Sequence, residues 1–202
     1  MVCYNSEKKI IYLHIPKTGG MTIEQILIDN YGFKRFSFDE YAYRITNKED
    51  GLFKDILSKS RESKIYDLMS FVKFTFVRNP YDRAFSGIRF LSETCRKEFP
   101  NNLHEFNERC ITDSFFYVHF IMSQTDSLKD LNNELKFDHI GRFENFREDL
   151  ENILFNILSF ERKDLSKYHV NKSDPKLIDF DHELVKELVD DLQKEDFVNF
   201  GY

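Results

Sequence analysis

A lysine and two glycines follow the first apolar run of the chain, in the segment His14-Ile15-Pro16-Lys17-Thr18-Gly19-Gly20-Met21-Thr22. Two glycines let the backbone approach an oxyanion closely, and the helix predicted to follow them directs its first N–H groups to the same point. Lys17 adds a positive charge, while Thr18 and Thr22 add hydroxyl donors. The segment therefore predicts a phosphate-binding loop whose backbone amides lie between residues 18 and 22.

The order of residues separates this loop from the common nucleotide-binding loop of ATPases and GTPases. In the pattern GxxxxGK[ST] the lysine follows the second glycine, whereas Lys17 precedes both Gly19 and Gly20. This difference argues against an ATPase or a GTPase. On composition alone, a plain Gly-Gly turn beside a solvated lysine explains the segment equally well.

The loop lies between a predicted strand and a predicted helix, and the same pattern occurs again further along. The apolar run 9–15 (KIIYLHI) predicts a strand before the loop, and helical spacing of apolar residues follows it. A second run, 71–77 (FVKFTFV), stops at Arg78. Asn79 and Pro80 then suit the N-cap and first position of another helix.

Further strands and helices alternate along the rest of the chain. Short strands are expected at 33–38 and 136–141, and helices over ENFREDLENILFNIL and HELVKELVDDLQKEDF. Strands alternating with helices predict a parallel sheet covered on both faces. Residues 160–180 lack clear periodicity and contain a proline, so they are expected to form a long functional loop or lid.

Composition limits the class of protein. The chain has 202 residues, 41% hydrophobic, with a mean hydropathy of −0.52, which predicts one water-soluble domain. A net charge of −6 disfavours nucleic acid and anionic membranes as partners. The apolar run near the N-terminus is too short for a signal peptide or a membrane span, so the cytoplasm is expected. Three widely spaced cysteines show no zinc-ligand pattern, and no metal site is expected.

The two motifs, in this order, resemble those of sulfotransferases that use 3′-phosphoadenosine 5′-phosphosulfate (PAPS). HIPKTGG resembles the 5′-phosphosulfate loop of that family, and residues 76–83 with Ser86 resemble its 3′-phosphate motif. The combination is similar to the branch that holds bacterial members and carbohydrate O-sulfotransferases. Agreement extends over nearly the whole chain, through the segments at 124–128, 137–150, 169–174 and 195–202.

The resemblance implies a fold, a donor and a class of acceptor. The fold would be an α/β single domain over residues 1–202, a P-loop-like three-layer arrangement with a central parallel sheet flanked by helices. PAPS would donate a sulfuryl group to a hydroxyl of a glycan or small molecule, and 3′-phosphoadenosine 5′-phosphate (PAP) would be the product. The family needs no metal, and residues 160–180 would correspond to its nucleotide lid.

The resemblance also implies a role for individual residues. Lys17 would be catalytic, because it neutralises charge on the leaving 5′-phosphate. Arg78 and Ser86 would bind the 3′-phosphate, with a structural ion pair and a surface helix position as the alternatives. The full set of expected nucleotide ligands is Lys17, Thr18, Gly19, Gly20, Met21, Thr22, Arg78, Ser86, Asn171, Lys172 and Ser173.

The general base departs from the family pattern. Many relatives carry a histidine on or after the second strand, but this chain has no histidine from residue 15 through residue 103. Asp39 and Glu40 lie in the corresponding region and are candidate bases, although Asp39 is equally well explained as a helix cap. His14 is expected to pack or to orient the loop, and His169 in the lid segment is a further candidate.

Two other functions fit part of the pattern. A P-loop kinase-like phosphotransferase would use a similar loop, but the lysine position and the lack of an evident magnesium site disfavour it. A catalytically silent PAP-binding protein of the same fold would explain the missing histidine. The acceptor pocket is expected in 36–66 and 92–125, where no pattern indicates a sugar, lipid, phenol or peptide.

Overall fold

A computed structural model describes most of the chain at side-chain level. The ranges it describes are 2–35, 68–93, 100, 102–113, 116–130, 132–169 and 181–202. They form one five-stranded sheet with helices against it. The strands are β1 (Val2–Asn5), β2 (Ile10–Leu13), β3 (Lys34–Arg35), β4 (Val72–Val77) and β5 (His139–Arg142).

The sheet is mostly parallel, as predicted. Its strand order is β3-β1-β2-β4-β5, and β2, β4 and β5 are consecutive parallel neighbours. In a parallel sheet the carboxyl ends of adjacent strands meet at one edge, where ligands bind in open α/β folds. The segments after β2, β4 and β5 therefore lie side by side at that edge.

β1 was not predicted from the sequence. It pairs antiparallel with β2 and with β3, and a four-residue turn joins it to β2. The turn contains neither glycine nor proline; Lys9 takes the left-handed conformation with φ 52°, and Asn5 Oδ1 accepts from the Lys8 amide at 2.9 Å. Asn5 and Ser6 are turn residues, but without the Asn-Gly or Gly-X pair typical of a tight hairpin they did not indicate that residues 2–5 pair with the next strand.

The described helices lie on both faces of the sheet and confirm the three-layer architecture. Helix α1 (Gly20–Tyr31) and helix α5 (Phe146–Glu151) contribute to a core with Ile10, Tyr12 and Phe74 on one face. On the opposite face, Ile11 and Leu13 contact residues of α4 (Gln124–Leu128) and α7 (Lys194–Phe200). A third cluster joins α2 (Pro80–Glu93), α3 (Leu103–Thr112) and α6 (His182–Leu192).

Two helices differ from their predicted form. The helix predicted to start near Phe146 becomes π-helical over Asn152–Ile157, which adds a residue per turn and redirects later side chains, leaving Ile157 41% exposed. The predicted closing helix is divided at Gln193 into α6 and α7. No helix among the described residues is long and apolar enough to cross a bilayer.

Candidate functional site

The loop after β2 opens helix α1 without a side-chain cap. α1 begins at Gly20, and its N-cap, Gly19, is in the left-handed conformation with φ 82° and offers no side-chain acceptor. Lys17 also has a positive φ of 72°, which is uncommon for a residue with a side chain. The N–H groups of Gly20 and Met21 have no intrahelical acceptor at this position, so an anion can accept from them.

Gly20 allows the loop to lie against the ring of His14. A Cβ at Gly20 would overlap that ring, so any larger residue would displace either the loop or the histidine. His14 is 8% exposed, and its Nδ1 lies 2.6 Å from Oε1 of Glu24, which is fully buried. Burial lowers the pKa of His14, so the ring is neutral at pH 7. Its Nδ1–H group then donates a hydrogen bond to the carboxylate.

Glu24 is ionised in this arrangement. Burial raises the pKa of Glu24, but the hydrogen bond from His14 and the nearby positive charges outweigh it and lower the pKa overall. Arg35 supplies one of those charges, with its Nε 3.2 Å from Glu24 Oε2. This network supports the predicted orienting role of His14.

The two threonine hydroxyls of the loop donate within the protein. Thr18 is fully buried, and its Oγ1 donates to the carbonyl of Ile15 at 2.8 Å. Thr22 Oγ1 donates to the carbonyl of His169 at 3.1 Å. The Thr18 hydroxyl thereby shapes the loop, and the Thr22 hydroxyl joins α1 to the segment before residue 170. Their role as phosphate donors stays a prediction. Met21 is 57% exposed beside them.

Arg78 follows β4 at the same edge of the sheet. Its Nη1 donates to the carbonyl of Lys17 at 3.3 Å, so the structure brings the two predicted motifs into direct contact. Burial lowers the pKa of Arg78, an effect that the charges of Asp82 and Glu144 only partly offset. Its Nε is buried without a hydrogen-bond partner. A bound anion would compensate this desolvated cation.

Aromatic rings lie against both cations of the edge. The Nζ atom of Lys17 is 4.0 Å from the centre of the Phe90 ring, and Cζ of Arg78 is 4.2 Å from that of Phe143. Aromatic faces attract cations and order their side chains. Phe90 lies on α2, and Phe143 directly follows β5.

Helix α2 begins as predicted. Asn79 Oδ1 accepts from the amides of Tyr81 at 3.0 Å and Asp82 at 3.3 Å, which is the geometry of an N-cap. Ser86 lies further along this helix and is 7% exposed. Among the described contacts, none joins the Ser86 hydroxyl to Arg78 or to the loop.

A buried polar network holds the Arg78 backbone in place. Gln124 accepts from the Arg78 amide and donates to its carbonyl, each at 2.8 Å. Asp196, fully buried on α7, accepts from the Gln124 amide at 2.8 Å and the Thr125 amide at 2.7 Å. The C-terminal helix therefore fixes the strand end that carries Arg78.

Several predicted site residues lie outside the described residues. They are the two candidate bases, Asp39 and Glu40, and the three candidate lid contacts, Asn171, Lys172 and Ser173. His169 is described; its side chain is exposed, and its carbonyl accepts from Thr22.

The sequence did not identify Phe90, Phe143, Gln124 or Asp196 as parts of this site. Three of the four lie in segments where the family resemblance was noted, at 124–128, 137–150 and 195–202. The family resemblance could have marked these segments as parts of the site. It could not identify the partner of each side chain, because each partner lies far away along the chain.

The structure is that of an α/β protein in which a glycine-rich loop and an arginine follow adjacent parallel strands at one sheet edge. A family model described as the sulfotransferase family matches residues 1–202. No curated protein and no solved structure matches the chain at a significant level. The chain belongs to the sulfotransferase family, and sulfuryl transfer is the reaction that this membership supports.

Proposed function

We propose that this protein transfers the sulfuryl group of PAPS to a hydroxyl group of a glycan or small metabolite. The observation that carries the proposal is the contact between Arg78 Nη1 and the Lys17 carbonyl, because it joins two phosphate-binding motifs at one sheet edge. PAPS bears phosphates at both ends of its ribose, and such a pair of adjoining cationic subsites suits it. The cytoplasm remains the proposed compartment.

In the proposed reaction, the acceptor oxygen attacks sulfur while the bond from sulfur to the 5′-phosphate oxygen breaks. A base takes the hydroxyl proton, and sulfated acceptor and PAP leave. Negative charge builds on the 5′-phosphate as the bond breaks, so fixed positive charge there lowers the barrier. In this proposal Lys17 and the first amides of α1 supply it. Arg78 would bind the 3′-phosphate and align the donor.

The proposed general base is Asp39 or Glu40, on sequence grounds. The neutral His14 is a poor alternative because it is 8% exposed and the Nε2 edge of its ring lies against Gly20, where an added Cβ would overlap that nitrogen. The exposed side chain of His169 is the other alternative.

Arg78→Ala is expected to weaken PAP binding by roughly 10- to 100-fold, since hydrogen bonds between charged groups contribute about 1.5–3 kcal/mol. Its affinity for adenosine 5′-phosphate (AMP), which lacks the 3′-phosphate, should stay close to that of the wild type. Isothermal titration calorimetry with both nucleotides measures the difference. Adenosine 5′-phosphosulfate also lacks the 3′-phosphate, so it should bind the wild-type protein more weakly than PAPS does.

A matched control for this change is Arg162→Ala. Arg162 is an exposed arginine whose Cζ lies 5.1 Å from the Phe155 ring, so the variant removes a similar cation–aromatic pair away from the sheet edge. Its PAP affinity should equal that of the wild type. Equal affinity of the wild-type protein for PAP and AMP would reject the 3′-phosphate subsite.

Replacement of the true base should reduce kcat by roughly 10²- to 10⁴-fold without loss of PAP binding. We would compare Asp39→Asn and Glu40→Gln. A carboxylate base of ordinary pKa leaves kcat/KM flat above mildly acidic pH, whereas a raised pKa produces an inflection that the correct variant lacks. If both variants turn over normally while His169→Ala or His14→Ala loses turnover and still binds PAP, the base is that histidine.

The absence of histidine from residue 15 through residue 103 favours one second candidate, a PAP-binding protein without turnover. The enzyme and the silent binder would both bind PAP, and thermal unfolding with PAP, ATP and GTP tests this shared property. Both functions require that PAP stabilise the protein more than ATP does. A larger shift with ATP would instead indicate a phosphotransferase. Turnover of PAPS with a panel of hydroxyl acceptors then separates the enzyme from the silent binder.

A further inference from the structure

One aromatic side chain touches both halves of the proposed donor site. Phe143 directly follows β5, and its half-buried ring lies 4.2 Å from Cζ of Arg78. The same ring faces the loop beside that of Phe146, because a Cβ at Gly19 would lie 3.2 Å from Cδ2 and Cε2 of Phe143 and 2.7 Å from Cε2 of Phe146. Phe143 therefore contacts the 5′ and the 3′ phosphate motifs at once.

The backbone around Phe143 is fixed relative to Arg78. Val77 and Arg142 are paired residues of β4 and β5, so Arg78 and Phe143 are the next residues on adjacent parallel strands. Glu144 Oε1 accepts from the Asn79 amide at 2.7 Å, and Glu144 Oε2 accepts from the Tyr202 hydroxyl at 3.0 Å. The first bond ties the turn after β5 to the turn after β4, and the second ties it to Tyr202.

An aromatic partner leaves the guanidinium able to bind an anion. A carboxylate in the same place would neutralise Arg78 and compete with a phosphate for its N–H groups, whereas a ring face attracts the cation without accepting from those groups in the guanidinium plane. Among the described residues, no ion pair joins Arg78 to a carboxylate. Its Nε is buried without an acceptor.

We propose that Phe143 is a positioning residue that holds the Arg78 guanidinium and the Gly19 turn in one geometry, and so sets the preference for nucleotides with a 3′-phosphate. The inference rests on the proposed PAPS-dependent function and acts through Arg78. Loss of the ring would let the guanidinium adopt other rotamers. This would weaken mainly the binding of nucleotides that carry a 3′-phosphate.

The test compares Phe143→Leu with Phe155→Leu. Phe155 is also half-buried, and its ring carries the guanidinium of Arg162, so the control loses the same type of contact elsewhere. The measurement is the ratio of AMP Kd to PAP Kd by calorimetry. Phe143→Leu should reduce this ratio by roughly 3- to 30-fold, the range of a partly desolvated cation–aromatic contact, and Phe155→Leu should leave it unchanged.

A double-mutant cycle gives a readout that a merely structural role would not move. In the Arg78→Ala background, Phe143→Leu should have no further effect on the ratio, because the group it positions is absent. Phe143→Tyr keeps the ring face and should retain the wild-type ratio. If Phe143→Leu does not fold, Phe143→Met has a similar volume and replaces it in the cycle.

The possible outcomes separate the inference from the function on which it rests. A wild-type protein that binds PAP and AMP equally overturns the donor assignment itself. A wild type that prefers PAP, with a Phe143→Leu variant that keeps the full preference, overturns the positioning role alone. An equal loss of affinity for both nucleotides also overturns it, since the effect would then not pass through the 3′-phosphate.

Discussion

Lys17→Ala is expected to lower kcat by roughly 10²- to 10³-fold, the usual cost of removing one preorganised charge partner of a transition state. The 5′-phosphate gains negative charge as the S–O bond breaks, so the lysine interacts more strongly with the transition state than with bound PAPS. PAP Kd should therefore rise much less than kcat falls. Single-turnover rates at saturating PAPS, with calorimetry for PAP, separate the two effects.

Lys163→Ala is the matched control for this change. Lys163 is exposed, its Nζ lies 5.6 Å from the centre of the Tyr31 ring, and it donates to the carbonyl of Asn30 at 3.1 Å. The control thus removes another lysine beside an aromatic ring and should leave kcat unchanged. Normal turnover of Lys17→Ala at saturating PAPS would remove Lys17 from the reaction centre.

The location of Lys17 also indicates why an arginine would replace it poorly. Its backbone has a positive φ, its carbonyl accepts from Arg78, and its Nζ lies against Phe90. Both the main chain and the side chain are therefore fixed by contacts at the sheet edge. A compact ammonium fits this arrangement as a point charge, whereas a planar guanidinium needs a wider approach.

The sequence predicted the parts of the fold whose signals are local. The run before Lys17 is apolar throughout 10–13, and the run before Arg78 is apolar except at Lys73 and Thr75. Both are rich in β-branched and aromatic residues, and both correspond to strands in the structure, β2 and β4. Asn79 and Pro80 marked the start of α2 through their own conformational preferences. Since β2 and β4 are parallel neighbours, the motifs that follow them lie side by side at the same edge of the sheet.

The parts that sequence did not predict depend on contacts between distant segments. Thr18 and Thr22 belong to hydroxyl-bearing types that suit a phosphate loop, yet each donates to a carbonyl, and one of those carbonyls is at residue 169. Phe143 is one of 22 phenylalanines, and the residues next to it in the sequence do not indicate that its ring contacts Arg78. Partners of this kind follow from strand order and register, which are tertiary properties.

Asp196 is the residue for which we expect the largest loss of stability. It is fully buried, accepts from two amides of the α4 turn, and lies near Arg83, which is also fully buried. Burial lowers the pKa of Arg83 to about 10, so Arg83 stays protonated at neutral pH, and the Asp196 charge offsets part of that burial cost. Arg83 Nη2 also donates to the carbonyl of Met122 at 2.6 Å.

Asp196→Ala should therefore lower the free energy of unfolding by about 3–5 kcal/mol, because it leaves a buried cation without its nearby opposite charge and two buried amides without their acceptor. The neighbouring Glu195→Ala is the matched control: this carboxylate is 55% exposed and pairs with Lys129 at 2.9 Å, so its loss should cost about 0–1 kcal/mol. Urea unfolding at pH 7 measures both variants against the wild type. If the two substitutions lowered the free energy of unfolding equally, the hydrogen bonds from Gln124 and Thr125 to Asp196 would not stabilise the fold. The proposal that α7 holds the strand end at Arg78 through Gln124 would then be wrong.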